Sequence, residues 1–257
     1  MNPENKKRVL ITAGASGVGR AVAEAFAEAG AQVWVADVDV AALAVCPQDW
    51  QRSEVNVADE ASVAAWFAEV EAAWGGLDVL CANAGIAGPT ALVEDVELDA
   101  WRACLAVNLE GAFLCSKYAA PMLKRQGSGC VLITSSTAGQ YGYPNRAPYA
   151  AAKWGMVGLG KTLAMELGPR GVRCNVICPG SVEGPRIEGV MEREAAAKGM
   201  TRDEVYAGYA SGTSMGSFIE GRDIGAMAVF LASDAARLVS GQVIAVDGHT
   251  VNPDPKI

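Results

Sequence analysis

Three side chains stand at spacings that suit proton transfer. Tyr149 and Lys153 lie four residues apart, which on a helix places both on one face. Ser136 lies thirteen residues before Tyr149, at the end of an apolar run, Val131-Leu132-Ile133, that reads as a strand. A phenol has a reference pKa of about 10 and is a poor base at neutral pH. A neighbouring ammonium favours the phenolate and lowers that value. The tyrosine can then give or take a proton near working pH while the serine hydroxyl holds a carbonyl or alcohol oxygen. Such a trio suits proton movement on an oxygen while another group takes the hydride. The bland alternative is an ordinary helix pair, and what decides between them is a cofactor site upstream.

The upstream elements supply one. Arg8 to Thr12 is a short apolar strand, followed by Ala13-Gly14-Ala15-Ser16-Gly17-Val18-Gly19 and a helical run from Arg20 that stops at Gly30. Strand, glycine turn and helix start together hold a pyrophosphate: the glycines let the backbone approach, and the helix N-terminus offers free N–H groups. A second strand, Gln32 to Asp37, ends in a carboxylate eighteen residues past Gly19. A carboxylate there accepts from both ribose hydroxyls and repels a 2′-phosphate, which favours NAD over NADP. Neither Ser16 nor Val38 is a basic residue that would clamp such a phosphate. Asp39 reads as the cap of the next helix.

Further strands are expected at Glu54–Val57, Leu77–Ala82, around Val131–Ile133, at Val172–Cys178 and at Gln242–Val246, with helices between them. The helix from Asp59 to Gly75 carries Val63, Phe67, Val70 and Trp74 as a core stripe. A second runs from about Leu98 to Gln126 with Asn108 in its middle. Asparagine competes with the helix backbone, so Asn108 followed by Gly111 predicts a local distortion. Tyr149 to Leu167 is one helix, and Asp223 to Ser233 the last. Between Glu183 and Gly221 no strand pattern occurs, but Thr201 and Glu204 make a capping box for a short helix. This excursion leaves the C-terminal edge of the sheet, where it covers a ligand; its Met and Tyr residues either line a substrate pocket or pack the lid. The whole is an α/β fold, a Rossmann-like doubly wound parallel sheet of about seven strands with helices on both faces. No linker or repeat divides the 257 residues, so 1–257 is read as a single dinucleotide-binding and catalytic domain.

Composition narrows the function. The chain is 51% hydrophobic with a formal charge of −8 and no block of like charge, which disfavours nucleic acid or an anionic membrane as partner. The start lacks the apolar core of a secretory signal and no run is long enough for a membrane span, so a cytoplasmic enzyme is expected. The seven cysteines read as buried reduced thiols, and a single histidine, His249, leaves no metal site. His249 itself reads as structural.

The glycine turn, Asp37, Asn83-Ala84-Gly85, Asn108, Ser136, Tyr149-x-x-x-Lys153 and Pro179-Gly180 fall in one order along the chain. This set resembles the short-chain dehydrogenase/reductase family in its compact form, over nearly the whole chain. The resemblance implies that Tyr149 is the acid/base, that Lys153 lowers its pKa and holds the nicotinamide ribose, and that Ser136 orients the substrate oxygen. It implies that Asn108 holds a water linking Lys153 to solvent. Gly14, Ser16, Gly17, Val18 and Gly19 would border the pyrophosphate and ribose, Asp37 the adenosine ribose, and Asn56-Val57 the adenine. Asn83 and Gly85 would flank the neighbouring ribose, and Pro179, Gly180 and Val182 the nicotinamide. A homotetramer is also implied, with Ala112, Ala119, Ala120, Gly155, Gly158 and Gly160 allowing close helix packing between copies. The chain departs from the family pattern at Ala13, where a glycine is usual, at Asn56 for an aspartate, and at Gly184 for a threonine that touches the nicotinamide amide.

The function expected is an NAD-dependent oxidoreductase interconverting a secondary alcohol and a ketone. An NADP-dependent ketoacyl-type reductase and a non-catalytic dinucleotide-binding sensor are the alternatives; missing basic residues at Ser16 and Val38 oppose the first, and intact catalytic positions the second. Arg146, Arg186 and Trp154 read as loop and helix surface, with contact to a polar or acidic substrate as the other reading.

Overall fold

The computed structural model describes residues 6–252; the stretches 1–5, part of the start judged to lack a secretory signal, and 253–257 lie outside the described residues. In chain order the elements are β1 (Arg8–Thr12), α1 (Gly17–Glu28), β2 (Gln32–Asp37), α2 (Val40–Ala44), β3 (Gln51–Glu54), α3 (Glu60–Trp74) and β4 (Val79–Ala82). There follow α4 (Leu98–Leu105), α5 (Gly111–Gln126), β5 (Gly129–Thr134), α6 (Ala147–Leu167), β6 (Val172–Pro179), α7 (Pro185–Lys198), α8 (Arg202–Ser211), α9 (Gly221–Ala232) and β7 (Val243–Val246).

All strand pairs are parallel, in the order β3-β2-β1-β4-β5-β6-β7. The inner strands are buried on both faces, which is why they read as continuous apolar runs rather than alternating ones. One core packs Leu10, Leu80 and Ile133 against α3, α5 and α6. The other packs Val9, Ile11 and Leu132 against α1 and α9. After β1 the chain first winds outward to β2 and β3, then returns to β4 on the other side of β1. A crevice opens at the C-terminal ends of the strands at this reversal. Among the described residues no helix is long and apolar enough to cross a membrane.

Three expectations need correction. The third strand is Gln51–Glu54 rather than Glu54–Val57. It is the sheet edge, and its residues are too exposed to leave an apolar signature. Val55 and Val57, which suggested a strand, are instead buried anchors of the turn that follows. The distortion expected at Asn108 is present, because Ala106–Glu110 winds as a π segment between α4 and α5. The excursion holds a helix the sequence did not signal, α7, which opens on Pro185 at its first turn. Finally, Ala112, Ala119 and Gly160, assigned by resemblance to a subunit face, are buried inside the chain. Gly160 lets α6 lie against β6: a β-carbon there would stand 2.3 Å from Val176 Cγ2.

The excursion returns to its own root. Glu183 N donates to Ile219 O and Ile219 N to Ser181 O, both at 2.9 Å, so its two ends are stitched beside β6. Met191, Ala195, Val205 and Phe218 form a small separate core, with Tyr206 stacked on Phe218 at 4.4 Å. The Thr201–Glu204 capping box is present. All seven cysteines are buried and unbridged.

Candidate active site

A cleft of about 570 Å³ opens at the topological reversal. Its lining brings together Ser16, Gly17, Val18 and Gly19 from the glycine turn, Asn83 and Gly85 after β4, and Ser136 after β5. Tyr149 and Lys153 from α6 and Pro179, Gly180 and Val182 after β6 complete it. Gly14, Asp37, Asn56, Val57 and Asn108 are not part of this lining.

The turn packs its backbone unusually close to β1. At Gly19 a β-carbon would fall 1.9 Å from Ala13 O, so the helix can start this close to β1 only with glycine. No side chain caps the first N–H groups of α1, which stay available for an anion. Ala13 takes the left-handed conformation with φ of 49°, where glycine would be at ease. Gly14 plays a different part: it packs on Val35, where a β-carbon would stand 2.6 Å from Cγ1. Asp37 is buried at the end of β2 and accepts from Ala15 N and Asp39 N, each at 3.2 Å, which fixes its carboxylate beside the turn. Asn56 accepts from Ala58 N at 3.0 Å as a turn residue, and the Val57 side chain faces Gly111 in the core. Thr12 Oγ1 accepts from both Asn83 N and Ala84 N at 2.9 Å, tying the loop after β4 to β1.

The chemistry-bearing groups converge on Tyr149. Ser136 is extended, with φ of −171°, and its hydroxyl accepts from Ala138 N at 3.1 Å. Lys153 is buried; its Nζ donates to Thr134 O at 3.0 Å and lies 5.5 Å from the Tyr149 ring centre. Ser135 Oγ donates to Lys153 O at 2.8 Å, fastening the strand end to α6. Behind them Asn108 is fully buried, its Nδ2 donating to Cys104 O at 2.8 Å and Ile86 O at 3.1 Å. Its Oδ1 has no partner. A β-carbon on Gly85 would lie 2.5 Å from that oxygen and 3.4 Å from Lys153 Nζ, so an orphaned acceptor and the ammonium flank one small space.

Charge acts on the tyrosine unevenly. Burial alone would push the Tyr149 phenol up, but Lys153, then Arg186, Ser136 and Arg146, outweigh it and hold the phenol below the usual tyrosine value. Burial pushes the Lys153 ammonium down, with Tyr149 opposing. Two other tyrosines line the cleft, and both go the other way: burial drives Tyr143 up to about 12, and burial with the Glu194 carboxylate drives Tyr209 up as well. Tyr149 is the acidified phenol of the three.

Arg146 is where surface reading fails. It is 8% exposed and its guanidinium carbon lies 4.8 Å from the Tyr149 ring centre. Arg146 precedes the first turn of α6 in a non-helical conformation, so helix periodicity gave no signal for it. Trp154 is exposed as expected, and Arg186, also exposed, lines the cleft. Tyr209 is another lining residue, whereas Met191 packs the small core of the excursion, so that segment does both things foreseen for it. His249 hydrogen-bonds Ser214 at 2.6 Å, away from the cleft lining.

Known proteins share this frame. A family model described as enoyl-(acyl carrier protein) reductase matches residues 12–249. The chain is 36% identical to cis-4-hydroxycyclohexanecarboxylate dehydrogenase of Sinomonas cyclohexanicum, covering 93% of this chain and 94% of that one. It is 34% identical to the 3-oxoacyl-acyl-carrier-protein reductase of Thermotoga maritima, covering 95% and 98%. The structure of NAD+-bound xylitol dehydrogenase superposes with a TM-score of 0.91 at 27% identity, over 95% of this chain and 98% of that one. With its parallel seven-stranded sheet and these relatives, the chain belongs to the short-chain dehydrogenase/reductase family.

Proposed function

We propose that the protein is an NAD-dependent oxidoreductase that interconverts a secondary alcohol and a ketone, with Tyr149 as the acid/base. The observation that carries this reading is the selective acidification of Tyr149 beside the buried Lys153 ammonium, at the mouth of a glycine turn. When bound, the nicotinamide supplies or accepts the hydride. In the oxidative direction the Tyr149 oxygen takes the hydroxyl proton of the substrate, and in the reductive direction it returns one to the carbonyl oxygen. Ser136 holds that oxygen in place. Lys153 stabilises the phenolate, and Asn108 Oδ1 holds a water through which Lys153 exchanges protons with solvent. The dehydrogenase names among the relatives support action on a carbinol carbon.

The carboxylate of Asp37, fixed beside the turn, supports NAD. It opposes the NADP-dependent ketoacyl-type reading, of which the Thermotoga relative's name supports only the ketoacyl part. The segment 183–221 covers the substrate side, and the protein works as a homotetramer, with exposed Phe113 and Trp154 at the faces between copies.

Turnover of a panel of secondary alcohols by the purified protein, followed by the absorbance of reduced nicotinamide, tests the reading. We expect oxidation with NAD at a kcat/KM at least ~10-fold above that with NADP, a difference of about 1.4 kcal/mol. Preference for NADP overturns the cofactor assignment. Tight NAD binding with no alcohol turned over favours a sensor.

A further inference from the structure

Arg146 stands immediately before α6, three residues ahead of Tyr149, and lines the cleft. It is more than nine-tenths buried. Its Nη2 donates to the Ala87 carbonyl at 3.0 Å, while Nε is buried with no partner. Among the described residues no carboxylate pairs with it. Arginine cannot shed its proton to escape this, and a buried charge is costly unless paired. The Ala87 carbonyl and the face of the Tyr149 ring are what the described residues offer this guanidinium, and neither is a carboxylate.

The acids around the cleft are engaged elsewhere. Glu183 accepts from Tyr206 at 3.2 Å, Glu220 pairs with Arg222 at 2.9 Å, and Glu24 with Arg20 at 2.7 Å. Glu194, behind Tyr209, accepts from that hydroxyl at 2.6 Å and pairs with Lys198 at 2.9 Å. A second guanidinium, Arg186, enters the cleft lining from the start of α7, again with no ion pair among the described residues. In a chain of net charge −8, cations without counter-charges gather on the substrate side of the tyrosine.

We propose that Arg146 is a specificity-determining residue that binds the carboxylate of the substrate, so that the alcohol is a hydroxy acid and the ketone a keto acid. The guanidinium fork matches a carboxylate in shape as well as charge. Its place against the Tyr149 ring sets the acid group a short spacer from the reacting carbinol, as on a 3-hydroxy acid or a ring carrying both groups. The inference rests on the reading of Tyr149 as the acid/base.

The test compares 3-hydroxybutyrate and 4-hydroxycyclohexanecarboxylate with their methyl esters, with NAD, in the wild type, Arg146→Gln and Arg146→Lys. In the wild type we expect kcat/KM for at least one acid to exceed that for its ester by ~30-fold or more, as befits a hydrogen-bonded charge. Arg146→Gln brings the ratio to within about threefold of unity, and Arg146→Lys keeps part of the preference. In parallel, cyclohexanecarboxylate and cyclohexanecarboxamide are titrated into NAD-loaded wild type by tryptophan fluorescence. The acid binds at least ~10-fold tighter if the proposal holds. This arm needs neither turnover nor a folded variant. Equal acid and ester rates, or equal acid and amide binding, overturn the proposal while ester turnover leaves the oxidoreductase reading standing. Failure of every acid and ester to react counts against the oxidoreductase reading, and the binding arm, repeated in Arg146→Gln, then decides on Arg146: loss of the acid-over-amide preference in the variant upholds the assignment and its persistence overturns it.

Discussion

Lys153 Nζ hangs from the carbonyl of Thr134 at 3.0 Å, and this bond fixes where the ammonium stands relative to Tyr149. Thr134 ends β5 and Lys153 lies nearly two turns into α6, so strand and helix together set the distance between cation and phenol. The electrostatic effect on Tyr149 is therefore built into the scaffold rather than left to a mobile side chain.

The pH dependence follows from this. Oxidation needs the phenolate, so its kcat/KM should rise with pH and level off at a midpoint below the ordinary phenol value of about 10. Reduction needs the phenol and should fall through the same window. Lys153→Met removes the largest opposing influence on burial and should move the midpoint upward. A midpoint unchanged in that variant contradicts the role given to Lys153.

Asp37 offers a test of cofactor choice. Asp37→Ala removes the carboxylate proposed to repel a 2′-phosphate, and also an acceptor for Ala15 N. Affinity for NAD should fall while the ratio of NAD to NADP affinity drops by ~10-fold or more, about 1.4 kcal/mol. Titration of both cofactors by fluorescence quenching reads this directly; a ratio that stays put removes Asp37 from the selection.

The backbone of Ala13 makes a stability prediction. A left-handed alanine costs about 1–2 kcal/mol relative to glycine, while adding a glycine costs about 0.4–1 kcal/mol through the unfolded chain. The first effect is the larger, so Ala13→Gly should raise the denaturant midpoint by an amount worth about 0–1.6 kcal/mol. A lowered midpoint says that the turn is not strained.

Assembly is tested by light scattering at micromolar concentration. A homotetramer of 26.6 kDa chains is expected. The mass of one chain refutes it.

Much of this architecture was legible in the sequence because the inner strands are buried on both sides and carry unbroken apolar runs. The π segment around Asn108 was foreshadowed by an amide where a helix disfavours one. What escaped had physical reasons. β3 is an exposed edge, so its residues follow no apolar pattern. The helix α7 has only a few buried positions and rests within a small core of the excursion itself. Arg146 was read as surface because arginine usually is; only the packing of Tyr143, Tyr149 and the excursion shows it buried. Gly184, in place of a threonine, became intelligible once its φ of 137° was seen, a conformation that nearly all other residues avoid.

The most direct measurement is kcat/KM for alcohol oxidation with NAD in Tyr149→Phe, on protein shown by circular dichroism to be folded. Loss of one hydroxyl that acts as the acid/base should cost about 10²–10⁴-fold. A loss below about tenfold, roughly 1.4 kcal/mol, would mean that another group moves the proton.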